Sequence, residues 1–123
     1  MSAWAYAAAI LGCGLGACLR FALGWLDRRR TFPWPTIAAN VLGSALLGAV
    51  VAAGDDAWVT PAWAFTLGTG VAGGLSTFSS LAVDIVVMAK DRRVRAVALY
   101  VAATVALGLG AAWAGYTAVA ALA

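Results

Sequence analysis

Apolar residues run through this chain in four long blocks, separated by short polar interruptions. The first extends from about Ala3 to Leu26 and stops at Asp27-Arg28-Arg29-Arg30. The second begins near Pro33-Trp34-Pro35 and ends around Gly54-Asp55-Asp56. The third opens at Pro61 and Trp63 and reaches about Ala89, and the fourth starts near Val94. Each block is as long as the roughly 20 mostly apolar residues that cross a hydrocarbon core. The prolines suit the first turns of helices and Trp34 suits a membrane interface. The pattern predicts an all-α membrane protein with four transmembrane helices, over about 3–26, 33–54, 61–89 and 94–121. These form one transmembrane domain spanning residues 1–123. No internal repeat is visible, and no room is left for a separate soluble domain.

The third block is longer than a bilayer requires and carries Gly73-Gly74-Leu75-Ser76-Thr77-Phe78-Ser79-Ser80 near its centre. Lipid cannot hydrogen-bond an exposed backbone, so an interruption there is tolerable only when buried in protein or lining a wet path. We therefore expect helix 3 to be broken mid-membrane at this segment. Close packing of small residues accounts for the glycines, but less well for the hydroxyl run.

Composition supports a bilayer setting: 64% of the 123 residues are hydrophobic, 11% are charged, and mean hydropathy is +0.94. The net charge of +3 comes from basic residues clustered between apolar runs, where headgroups lie, which argues against nucleic acid as a partner. Arg28, Arg29 and Arg30 in the first connection, with Lys90, Arg92, Arg93 and Arg95 around the third, fall on one side of a four-span protein. The other side has none. Cationic loops stay in the cytoplasm, so the chain is expected to be a multi-pass plasma-membrane protein with both termini outside. The positive cluster follows the first apolar run, which argues against a cleaved signal peptide. The absence of histidine and the presence of only Cys13 and Cys18 rule out the usual metal constellations and argue against a disulfide framework. Both cysteines read as small packing residues.

Gly12, Gly16, Arg20 and Gly24 follow one another at i+4 spacing, giving helix 1 a smooth face with a cation on it. Arg20 either orients an anion or snorkels to the interface. Thr36 and Asn40 form a short polar track on helix 2, and Tyr100 and Thr104 repeat that spacing on helix 4. Helix association is the competing role for these groups. Asp84, the acidic residue inside a span, is close enough to the basic loop for pairing with Lys90 or an arginine, with a transport role as the alternative. Helix 1 lacks the intramembrane carboxylate that a proton-coupled multidrug or cation exporter needs. That exporter class is the alternative to the anion pathway which a donor-rich, acid-poor lining favours.

On these residues the sequence resembles the Fluc (CrcB) fluoride channel family over nearly its whole length. Three motifs carry the resemblance: Gly-x-Gly-Ala-x-x-Arg ending at Arg20, Thr36 followed by Asn40-x-x-Gly43, and the run from Gly73 to Ser80. The resemblance implies a passive, fluoride-selective channel that exports fluoride from the cytoplasm and protects against its toxicity. It further implies an inverted (antiparallel) dimer with two pores, and a structural sodium ion held at the dimer interface by backbone carbonyls, here those of Gly73 and Ser76. By motif position, Phe78, Ser79, Ser80, Asn40, Thr36, Tyr100, Thr104 and Arg20 belong to the fluoride path. No catalysis is implied.

Two departures bear on assembly. Leu81 stands where the family has a second phenylalanine, and Gly108 stands one turn after Thr104 where a pore serine often lies. In the family each pore takes its two phenylalanines from opposite subunits, so a homodimer of this chain lacks one ring in each pore. The seven-to-none loop charge bias also suits one orientation only. The expected partner is therefore an oppositely oriented paralogue in a heterodimer, with a homodimer as the alternative.

Overall fold

A computed structural model describes residues 1–27 and 31–122; the cluster Arg28-Arg29-Arg30 lies outside the described residues. Among those described, all regular structure is helical. The order is α1 (Ala3–Gly24), α2 (Trp34–Asp55), α3 (Pro61–Phe65), a π-helix (Thr66–Ala72), α4 (Gly73–Leu75), α5 (Phe78–Lys90) and α6 (Val94–Ala120). Ala3–Gly24, Trp34–Asp55, Pro61–Lys90 and Val94–Ala120 are each long and apolar enough to cross a membrane.

Local chemistry sets the ends of these elements. Pro61 occupies the first turn of α3 and the Thr60 side chain accepts from the Trp63 N–H at 3.4 Å, an N-cap. The first helix ends ahead of the expected Leu26 because Trp25 and Leu26 donate to Ala22 and Leu23 in a tightened last turn. After α2 and α5 the chain turns through left-handed Ala57 and Arg92. There the Trp58 N–H reaches the Ala53 carbonyl at 2.8 Å and the Arg93 N–H reaches that of Met88 at 2.9 Å, the six-to-one bond of a Schellman cap.

The interruption of the third span lies beyond the glycines. Gly73 is helical (φ −64°, ψ −38°), whereas Ser76 (φ −72°, ψ 154°) and Thr77 (φ −151°, ψ 127°) are extended. The span bends only slightly there. Thr77 is the N-cap of α5, its Oγ1 accepting from the Ser80 N–H at 3.1 Å, so the hydroxyl run restarts the helix that the extended pair has stopped. The π-helical stretch before α4 was not legible in the apolar pattern. It widens the turns through Gly68 and Gly70, both buried.

Small residues let the backbones meet. A Cβ on Gly74 would overlap the backbone of Cys13, one on Gly70 would reach 2.7 Å from the Ala9 carbonyl, and one on Gly16 would overlap Val71. Thus α1 lies backbone to backbone along the π-helix and α4. A Cβ on Gly48 would overlap Ala112 and one on Gly115 would overlap Ala45, which joins α2 to α6 in the same way. A compact cluster of Ile37, Met88 and Tyr100, flanked by Phe32, Leu81 and Ile85, ties α2, α5 and α6 together. Large apolar side chains such as Trp4, Leu11, Phe21 and Trp113 face outward, as lipid or a second subunit requires. Cys13 and Cys18 are free thiols and are exposed, so they are not packing residues within the chain. It is the Cys13 backbone that Gly74 meets.

Candidate functional site

The break releases backbone groups that an unbroken helix would pair. The Thr77 N–H, which would have gone to the Gly73 carbonyl, donates instead to Asn40 Oδ1 at 2.6 Å. The Ser80 N–H, which would have gone to the Ser76 carbonyl, is taken by the Thr77 cap. The Ser76 carbonyl accepts from Arg20 Nη1 at 3.1 Å. Arg20 therefore sets a positive charge against the C-terminal, electronegative end of α4. Asn40 completes the clamp by donating Nδ2 to the Thr77 carbonyl at 3.2 Å. Two side chains from α1 and α2 thus hold the extended pair, and one Asn40 N–H remains for another acceptor.

Beside the break is an open-sided cavity of about 570 Å³ lined chiefly by Asn40, Ser44, Gly73, Ser76, Thr77, Phe78, Leu81, Thr104 and Gly108. Phe78 is 81% exposed at its edge. Thr104 is 9% exposed, and its Oγ1 is buried without a hydrogen-bond partner among the described residues. A buried hydroxyl left unpaired is costly, so this position calls for a ligand or a partner group.

The wall of the site is a ladder between α2 and α6. Thr36 and Tyr100 meet at the same carboxylate oxygen, each donating to Asp84 Oδ2 at 2.8 Å. One turn on, Asn40 and Thr104 line the cavity; a turn further, a Cβ on Gly108 would lie 3.5 Å from Ser44 Oγ; beyond that Gly48 meets Ala112. The two helices run parallel, so their i+4 tracks stay in step. The polar rungs end at Ser44 and Gly108.

Comparison with known proteins decides the family. The CrcB-like protein family (Camphor Resistance, CrcB) matches residues 7–116. The chain belongs to the CrcB-like family. It is 42% identical over 121 residues to Fluoride-specific ion channel FluC 1 of Leifsonia xyli subsp. xyli, covering 93% of this chain and 88% of the relative. It is 40% identical over 107 residues to Fluoride-specific ion channel FluC 2 of Rhodococcus jostii, covering 86% and 90%. With Fluoride-specific ion channel FluC of Variovorax paradoxus the identity is 37% over 117 residues, covering 92% of each.

Within this CrcB-family chain Arg20 holds the Ser76 carbonyl, and the other expected site residues fall into three groups. Asn40, Phe78, Thr104, Gly73 and Ser76 meet at the cavity. Ser79 and Ser80 place their hydroxyl oxygens 3.2 Å from Thr77 Oγ1, serving the cap of α5. Thr36 and Tyr100 form a separate cluster one turn away on Asp84, and Tyr100 is fully buried there. Asp84 is thus engaged by two hydroxyls, where the sequence left pairing with the basic loop and a transport role both open. Of the glycine face on α1, Gly12 and Gly16 pack on the third span, while Gly24 has open space around it. Sequence reading passed over Ser44, although its i+4 relation to Asn40 was available. The partnership of Thr36, Tyr100 and Asp84 joins three helices and has no sequence signature.

The Gly73 and Ser76 carbonyls fit a hard monovalent cation in donor chemistry. Gly73 is exposed and its carbonyl has lost the Thr77 N–H, while Ser76 keeps one lone pair beyond its bond from Arg20. Two carbonyls are too few for a complete shell.

Proposed function

We infer that this chain is one subunit of a fluoride-selective channel that passively exports fluoride across the plasma membrane and protects the cell from it. The observation that carries the reading is the match, over almost the whole chain, to relatives named fluoride-specific ion channels, at 42% identity in one case. That match includes the segment that builds the cavity. The same relatives do not favour the proton-coupled exporter.

Fluoride holds its water strongly, so a conducting path has to offer donors in its place. The second N–H of Asn40, the unpaired Thr104 hydroxyl and the electropositive edge of the Phe78 ring are such donors. Thr36 and Tyr100 continue the track toward the basic loops, and Ser79 and Ser80 flank Phe78. Arg20 sets a favourable potential for an anion at the break.

The path is completed by a second subunit in inverted orientation. An open-sided cavity and an exposed Phe78 support this, as do the outward apolar faces. The break then lies at the midplane, where Gly73 and Ser76 carbonyls from both subunits bind a sodium ion that is structural and not transported. When bound, that ion supplies charge to hold the two breaks together. Leu81 lines the cavity where a second phenyl ring is expected. With the one-sided loop charges, this favours a heterodimer with an oppositely oriented paralogue, this chain having both termini outside. Fluoride efflux from liposomes, followed with a fluoride-selective electrode, tests the function; an assembly that releases no fluoride would refute it.

A further inference from the structure

We propose that Ser44, on α2, is a fluoride-path residue whose hydroxyl forms the last polar station of the cavity, and that Gly108 is a glycine in order to leave that hydroxyl open. The proposal rests on the channel reading above and adds a residue to it. Ser44 lines the cavity one turn beyond Asn40, and Gly108 lines it one turn beyond Thr104. A Cβ at Gly108 would stand 3.5 Å from Ser44 Oγ, ordinary contact distance. A longer side chain there would cover the serine. Among the described residues no hydrogen bond engages the Ser44 hydroxyl, and the neighbouring Thr104 Oγ1 is buried and unpaired. Of these two hydroxyls on one cavity wall, the buried Thr104 one costs stability unless something accepts from it, and the Ser44 one stands open to the same cavity. The nearby acceptors Asn40 Oδ1 and the Thr77 carbonyl are each engaged by the other residue's N–H, and a small anion is the acceptor of matching chemistry. Beyond Ser44 the ladder becomes Gly48 against Ala112, so the serine is the last donor before an apolar rung.

The packing alternative is that Ser44 merely fits between α2 and α6. A hydroxyl exchange separates the two. Ser44→Ala, Gly108→Ser and the double variant are compared with the unmodified channel, each reconstituted with its partner subunit if one is required. Electrode-monitored efflux is measured together with elution volume and melting temperature. The ladder predicts that Ser44→Ala slows fluoride efflux about tenfold or more, the worth of one hydrogen bond to an ion, with assembly and melting unchanged. Gly108→Ser, which returns a hydroxyl to the same rung from α6, is expected to restore the rate to within about threefold in the double variant. Ser44→Ala conducting at the unmodified rate, or a double variant as slow as the single one, would overturn the proposal. No efflux from the unmodified assembly would instead reject the channel reading, and this assignment with it.

Discussion

At the residue scale, Asn40 has to be understood through both ends of its amide. Its Oδ1 takes the Thr77 N–H and its Nδ2 holds the Thr77 carbonyl, so it stabilises the break and also presents a donor to the cavity. Asn40→Asp keeps the acceptor but turns the second contact into oxygen against oxygen, and it adds a negative charge beside the proposed anion path. Efflux is expected to be abolished. Phe78→Ile removes the ring edge while leaving the clamp untouched, so it too is expected to abolish efflux but to leave the elution volume of the assembly unchanged. Unaltered efflux in both variants would remove these residues from the path. Thr77 and its serine neighbours show why a hydroxyl run is ambiguous in sequence. The same Ser-Thr-x-Ser-Ser letters serve a helix cap or a lining, and the three-dimensional restart of α5 is what turns Ser79 and Ser80 toward Thr77.

At the element scale, glycine positions range from those pressed against a neighbouring backbone to those that face nothing. Gly74 meets the backbone of Cys13, whereas Gly14 has no neighbour within 4 Å of where a Cβ would stand. Gly74→Ala is expected to destabilise by about 1–3 kcal/mol through forced separation of α1 from α4. Gly14→Ala is expected to be neutral or to stabilise by roughly 0.5–1 kcal/mol from helix propensity. Melting of the purified variants in detergent checks both. If the two glycines tolerate alanine equally, the backbone contact between α1 and the third span is wrong. The four long helices were legible because apolar blocks bounded by charge and proline leave few alternatives in a bilayer. The location of the break was legible only to within a turn. Gly73 and Gly74 looked like breakers, yet both are helical; Gly74 is small because Cys13 and Gly16 press against it, while a Cβ on Gly73 would meet only the Gly68 carbonyl at 3.8 Å. The π-helix over Thr66–Ala72 left no signal, since one extra residue per turn does not disturb a uniformly apolar pattern.

At the scale of the whole molecule, the chain presents an unfinished site. The cavity is open on one side, Phe78 stands exposed at its rim, and Leu81 occupies a wall position where a ring is expected. With one-sided loop charges this favours an inverted paralogue as partner. Expressed alone, the chain is then expected to give little stable dimer, and co-expression with a paralogue of reversed loop charge to give a dimer of one copy each. A stable homodimer that conducts fluoride would exclude that requirement. Reporters fused to each terminus are expected to place both outside the cytoplasm. The proposals for partner and orientation rest on loop charge and family resemblance alone, because no contact within the chain bears on either.

The most direct test of the channel is the dumping of fluoride from potassium-fluoride-loaded liposomes, with a potassium ionophore carrying the balancing charge and an electrode reading the release. The assembled channel is expected to empty its vesicles of fluoride without any proton gradient, and to leave chloride-loaded vesicles full. Release that depends on a proton gradient, or equal release of chloride, would contradict a passive fluoride-selective path through the break.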